Sequence, residues 1–287
     1  MIFYEEDVMN VLTAERIAAF QAHLKREERS EGTVGKYLRD VRQFAAWLDG
    51  AAVTKDAAAL WKEHLHIQGY GPATINGKLA ALNAFFSFAG WEDCRVKALK
   101  LQRRLFRDSG KELTRQEYDR LTQAARALGR ERLALLMETI CATGIRVSEV
   151  KYITAQTARS GRAEISLKGK IRTILLPGKL CRKLMKYAKK QKIASGEIFL
   201  TRSGSSLSRK QIWAEMKALC EYAGVAPSKV FPHNLRHLFA TVFYAACKDV
   251  ARLADVLGHS SIETTRIYLL TTGAEHIQQL DRLGLIS

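Results

Sequence analysis

The chain has 287 residues, 47% of them hydrophobic, and 46 Lys and Arg against 29 Asp and Glu give a formal net charge of +17. That length buries a substantial core and accommodates two domains, and the balance of apolar and charged residues excludes a disordered chain. The longest apolar runs, near Leu133–Met137 and Leu238–Cys247, are too short to span a bilayer, and the acidic N-terminus lacks a signal-peptide pattern, so neither a membrane span nor a secretory leader is expected.

The charge is unevenly spread. Residues 1–94 carry 10 basic against 13 acidic side chains (−3), residues 95–110 carry 6 against 1 (+5), and residues 111–287 carry 30 against 15 (+15). A positive field confined to the connector and the second part suits a polyanionic partner, nucleic acid before anionic membrane. The five cysteines (Cys94, Cys141, Cys181, Cys220, Cys247) are odd in number and contain no Cys-x-x-Cys pair, so neither a zinc site nor a disulfide framework is expected and a reducing cytoplasm fits.

In chain order, Thr13 can cap a helix to about Arg29, and a second helix begins near Thr33 and stops at Gly50. Residues 54–67 form a weaker third helix. Pro72 opens a fourth, with Gly90 after it. This is a four-helix N-terminal module, residues 1–94. Residues 95–110 have no strong periodicity and read as a basic interdomain linker in which Arg103 and Arg104 are candidates for DNA-backbone contact. Thr114-Arg-Gln-Glu117 is a capping box that starts a second domain, residues 111–287. Helices follow to about Ala127 and from Glu131 to Thr143, with Gly144 as a stop. Arg146 lies at this junction beside Glu149. Locally an ion pair is the favoured reading, and a phosphate ligand braced by its carboxylate is the alternative.

Residues 163–176 read as a β-hairpin turning at Lys168-Gly169-Lys170, so either lysine would project from its tip. A solvated turn is the plain reading; a mobile ammonium that protonates a leaving oxygen is the functional one. Further helices are expected at Leu180–Lys192, from Ser208 to Tyr222 with Gly224 as its stop, from His233 to about Ala246, at Val250–Leu257, from a Ser260–Glu263 capping box through Tyr268 to about Leu270, and at Glu275–Leu283. Arg209, Lys210 and Lys217 make the Ser208 helix a candidate major-groove reader.

Residues 231–268 concentrate phosphate chemistry: His233, Arg236, His237, His259 and Tyr268. A guanidinium grips two phosphate oxygens at once, and a phenol becomes a nucleophile when its proton is accepted or its anion stabilised. Any one of these residues alone reads as packing or surface; the set, joined by Arg146 and a lysine upstream, does not.

The segments Thr-Gly-Ile-Arg-Val-Ser-Glu, His-Asn-Leu-Arg-His-Leu-Phe-Ala-Thr and Leu-Gly-His-Ser-Ser-Ile-Glu-Thr-Thr-Arg-Ile-Tyr, in that order and spacing, resemble the tyrosine recombinase (phage integrase) family, in the plan of its Xer-type and transposon-integrase members. The resemblance implies a mainly α fold with a small β-hairpin: a helical, SAM-like core-binding domain and a tyrosine-recombinase catalytic domain that together clamp DNA. It implies that Arg146 and Arg236 hold the non-bridging oxygens of the scissile phosphate, that His259 hydrogen-bonds the same group, and that His233 binds phosphate or takes the tyrosine proton. Lys168, with Lys170 as rival, would protonate the departing 5′ oxygen; the hairpin is compressed relative to the usual Gly-Lys-Gly-x-Lys-x-Arg. Glu149 would buttress the first arginine and His233, and Tyr268 would form a 3′-phosphotyrosyl link. His237 is a supporting candidate. Double-stranded DNA at specific sites and a homotetramer on paired sites are implied, with a monomer in free solution and no ATP, cofactor or metal. No acidic cluster suited to two-metal nuclease chemistry stands out. A non-catalytic DNA-binding protein of the same fold and a monomeric nicking-and-closing enzyme are the competing readings.

Overall fold

The computed structural model describes residues 10–101, 109–167, 170–259, 261–268, 277 and 281–283. The chain divides into two compact units, Met1–Arg103 and Arg104–Ser287.

The first unit is built from α1 (Ala14–Arg26), α2 (Glu31–Leu48), α3 (Lys55–Ile67) and α4 (Pro72–Ala89). Thr13 and Thr54 cap α1 and α3 through their side-chain oxygens, and Gly90 ends α4 in the left-handed region. Two boundaries differ from expectation. α1 ends at Arg26 because the chain turns through Glu28 at φ 54°. α2 starts two residues early because Ser30 accepts from the Thr33 N–H. The core is aromatic: Phe20, Phe44, Trp61, Phe85 and Phe86 are all at most 1% exposed. Phe20 meets Phe85 edge-on at 5.2 Å, a geometry that ring quadrupoles favour.

Residues 95–101 lie along this bundle. Asn83 donates to Val96 O at 2.8 Å and accepts from Val96 N at 3.0 Å; Asn76 does the same with Leu99 at 2.9 and 2.8 Å. Two side-chain amides thus act as rungs of a ladder. The spacing fits: seven helical residues rise about 10 Å, close to the reach of three extended residues. Residues 102–108 of the expected linker, Arg103 and Arg104 among them, lie outside the described residues, and Ser109–Lys111 form a 3₁₀ turn.

The second unit begins with α5 (Arg115–Ala127), whose Thr114–Glu117 capping box is formed in both directions. α6 (Glu131–Thr143) is buried almost all round, through Leu133, Ala134, Leu136, Met137 and Ile140, and packs against α5, α8 (Gly178–Lys190) and α11 (Pro232–Cys247). A 3₁₀ turn at Val147–Tyr152 and α7 (Ala155–Ser160) lead to the antiparallel hairpin β1 (Arg162–Leu167) and β2 (Lys170–Leu175), paired from Arg162↔Leu175 to Leu167↔Lys170. Ala163, Ile165 and Ile174 face the core, whereas Ile171 and Leu175 are exposed. The expected helix from Ser208 to Tyr222 is two pieces, α9 (Arg209–Lys217) and α10 (Cys220–Ala223). α12 (Val250–Leu257) ends at Gly258 in the left-handed region. α13 is a single turn, Ile262–Thr265, capped by Ser261, and a 3₁₀ turn then carries Tyr268. Ser260, expected to open the capping box, lies outside the described residues, as does most of the expected helix at 275–283. No described helix is long and apolar enough to cross a membrane.

Candidate active site

The turn after α6 sets one side of the site. Gly144, at φ +65°, ends α6 and sits against the Phe239 ring, where a Cβ would come within 2.4 Å of Cδ1; only glycine fits. The chain then enters the 3₁₀ turn with Arg146 as its N-cap. Glu149 reaches back to the Arg146 N–H at 2.7 Å and to Arg146 Nη1 at 2.9 Å. The expected ion pair therefore exists, between a carboxylate 2% exposed and a guanidinium 43% exposed. Arg146 keeps an open face and also reaches Gly258 O at 3.4 Å.

On α11, Pro232 occupies the first turn, and His233 and Arg236 follow three residues apart on one side. Arg236 is only 2% exposed. It donates to Gly144 O, to Leu257 O at 2.9 Å and to His259 Nε2 at 2.8 Å. Burial and then Arg146 lower its pKa, against the nearby Tyr268 and Glu149, which raise it. A guanidinium has no acceptor, so His259 Nε2 must accept, and the ring proton lies on Nδ1, 2.8 Å from Thr265 Oγ1. Burial, and then Arg236, Arg146 and Arg172, hold the His259 pKa down at about 4, consistent with a neutral ring. His233 is exposed, yet the protein around its imidazole, and after it Arg236 and Arg146, lower its pKa too.

Tyr268 is 3% exposed and packs with Ala240, Leu253 and Leu257. Its ring stacks at 6.1 Å on His259 and meets His237 edge-on at 4.9 Å. His237 faces Glu112, with Nε2 to Oε1 at 3.5 Å.

Arg146, Glu149, His233, Arg236, His237, His259 and Tyr268 are thus brought together. Lys168 lies outside the described residues; Lys170 opens β2, and its side chain is not described. Arg209 and Lys210 join Arg146, His233 and Arg236 in the walls of a cleft of about 510 Å³ whose floor includes Ile145, Trp213 and Phe231. Lys217 does not line that cleft: its ammonium bonds Pro227 O and lies 5.6 Å from the Trp213 ring centroid. Two residues were not singled out from the sequence. Thr265, fully buried, pairs with His259 Nδ1 through its hydroxyl. Arg172, on β2, contacts Glu149 at 3.3 Å and Val256 O at 2.9 Å. The available signals were weak: a threonine six residues past a histidine, and an arginine two past a turn lysine.

Chemically, two guanidinium groups and an imidazole (Arg146, Arg236 and His233) line the cleft, and Arg236 bonds His259, which stacks on the Tyr268 phenol, a set matched to a phosphate group. The sequence model described as the phage integrase family matches residues 111–274, more than half the chain. The chain belongs to the phage integrase family. The N-terminal SAM-like domain of phage integrases matches residues 17–93. Tyrosine recombinase XerA of Thermococcus kodakarensis is 30% identical over 274 residues, covering 92% of this chain and 93% of that protein. Tyrosine recombinase XerD of Xanthomonas axonopodis pv. citri is 31% identical, covering 86% and 89%. These relatives make this integrase-family chain a tyrosine recombinase of Xer or integrase type. The fold is shared with a lambda integrase tetramer bound to a Holliday junction (TM-score 0.73, 18% identity, 91% of this chain and 78% of that one). It is shared equally with the Tn1549 transposon integrase in complex with transposon right end DNA (TM-score 0.72, 18% identity, 94% and 98%).

Proposed function

We propose that this tyrosine recombinase cuts and rejoins double-stranded DNA at specific sites through a covalent link to Tyr268, working as a tetramer on paired sites. The observation that carries the reading is the contact set of Arg236: one buried guanidinium donates to His259, whose ring stacks on Tyr268 at 6.1 Å, with Arg146 on the open side of the same centre.

In the reaction, Arg146 and Arg236 hold the non-bridging oxygens of the scissile phosphate, and His259 hydrogen-bonds the same group. The Tyr268 oxygen bonds to phosphorus as the bond to the 5′ oxygen breaks. The phenolic proton passes to His233, and Lys168, or Lys170 as its rival, gives a proton to the departing 5′ oxygen. A 5′ hydroxyl of another strand reverses these steps. The phosphodiester energy is kept in the phosphotyrosine, so ATP has no part. Cations already in place stabilise charge that spreads over the phosphate oxygens in the transition state.

The free protein is not yet poised. Tyr268 is packed, and Arg236 spends its donors on two backbone carbonyls and His259. Contact with DNA or a neighbouring subunit has to release them. Arg209 and Lys210 are suited to the flanking DNA, and Arg103 and Arg104 to its backbone. The cytoplasm suits five cysteines that are all free thiols.

The test starts by recovering a binding site from random-sequence duplex DNA. A nicked version of that duplex, which loses a short 5′-hydroxyl fragment on cleavage, then traps the intermediate. A denaturant-stable adduct mapping to Tyr268, formed in EDTA, is expected. Tight binding with no adduct and no strand transfer would overturn the reading in favour of a non-catalytic DNA-binding protein.

A further inference from the structure

The guanidinium of Arg172 does not line the cleft, yet it touches both halves of the machinery around it. Its Nη1 lies 3.5 and 3.3 Å from the two oxygens of Glu149, the carboxylate that grips Arg146 through backbone and side chain. Its Nη2 donates at 2.9 Å to Val256 O. That carbonyl lies in the last turn of α12, where helical geometry leaves the C=O groups without an intrahelical partner. The next turn is Gly258–His259. Gly258 closes around the arginine stem: a Cβ there would meet Arg172 Cδ at 2.3 Å and Nε at 2.7 Å, and its φ is +63°.

We infer that Arg172 is a positioning residue: it locks strand β2, the Glu149–Arg146 pair and the His259 turn into one frame, so that two phosphate-binding groups from distant parts of the chain keep a fixed separation.

Three observations favour this over a plain structural ion pair. First, the residue is costly. The side chain is 11% exposed, its Nε is buried without a partner, and desolvation brings its pKa down to about 10. Buried ion pairs of this kind are weak sources of stability, and apolar residues of similar volume often replace them without loss. Second, the fork is used in two directions, to a carboxylate on one side and a carbonyl on the other. A lysine ammonium is a single point and cannot span them in that geometry. Third, the charge is felt at the site: Arg172 is among the cations that depress the His259 pKa.

The part of this inference that concerns reaction rate rests on the recombinase reading; the part that concerns His259 does not. The test uses the full chain and three variants, R172K, R172M and G258A. The first arm needs no DNA. In nitrogen-15 NMR spectra, R172K should shift the Gly258 amide, and both R172K and G258A should shift the His259 ring signals. R172M, which removes a positive charge, should raise the His259 titration midpoint towards the ordinary value. In the second arm, on the nicked duplex cleaved by the wild type, R172K and G258A should bind within about threefold of wild type and form the Tyr268 adduct about 100-fold more slowly, the size expected when reacting groups are misplaced by about an ångström. The R172K/G258A double variant should be no slower than the slower single one, because both changes undo the same lock. His259 signals unmoved in R172K and G258A overturn the inference whatever the DNA assay gives. So does wild-type adduct formation by both. If R172M does not fold, R172K and G258A decide the question alone. If the wild type itself forms no adduct, the recombinase reading fails, and the DNA-free spectra still decide whether Arg172 positions His259.

Discussion

Trp61 in the first unit and Arg236 in the second are about equally buried, at 1% and 2% exposure, in opposite kinds of company. Around Trp61 are Phe44, Trp47 and His64, with ring centroids 5.3–5.7 Å away. Around Arg236 are two backbone carbonyls, an imidazole and a phenol. The tryptophan gains from leaving water; the arginine loses hydration and recovers part of it from fixed dipoles. The surroundings of Trp61 therefore serve to hold shape. Those of Arg236 keep a charge where water is scarce, the condition under which a cation acts most strongly on a phosphate.

Substitutions should separate the two. The largest effect is expected from Tyr268→Phe, which removes the oxygen that bonds to phosphorus: adduct formation should vanish while DNA binding, measured by gel shift, stays. Residual adduct in Y268F would show that the nucleophile lies elsewhere. Next comes Arg236→Lys, which keeps a charge and loses the fork. The single-turnover rate should drop about 10²–10³-fold, as for loss of one transition-state donor. A rate within a few-fold of wild type would mean that burial of this guanidinium serves stability alone.

Trp61→Ala is the counterpart in the first unit. It should cost about 3–5 kcal/mol in denaturant unfolding, through lost burial and the cavity left behind. Asn83→Ala should cost less, about 1–3 kcal/mol, since it unpairs both polar groups of Val96; amide exchange at Val96 and Lys97 should then speed up. The smallest effect is the pH response. His259 and His233 both have folded-state pKa values below the ordinary histidine value, His259 at about 4. Below pH ~6.5 the unfolded chain therefore binds more protons than the folded one, so stability should decline as pH falls towards 4 and level off beneath it. His259→Gln should flatten that slope. An unchanged slope would assign it to other groups.

Much of the local structure could be read from the chain. Thr13, Thr54, Thr114 and Ser208 cap helices, and Gly90, Gly144, Gly224 and Gly258 end them. These signals act over three or four residues, so sequence suffices. Where it misled, a competing local group had won, as with Ser30, which caps α2 ahead of Thr33. The break between α9 and α10 at Ala218–Leu219 carries no Gly or Pro to announce it.

The chemistry divides in the same way. Residue type singled out His233, Arg236, His237, His259 and Tyr268 as a set suited to phosphate, whereas Arg146 read locally as an ion pair and gained its phosphate role only from the resemblance to tyrosine recombinases. The sequence likewise predicted that Glu149 pairs with Arg146, three residues away. Which atom of His259 carries the proton, how Arg236 spends its donors, and that Arg172 joins Glu149 to the end of α12 depend on groups as many as 92 residues apart. Hydrogen bonds have a reach of about 3 Å and no memory of chain order. Only packing the helices brings those partners within range.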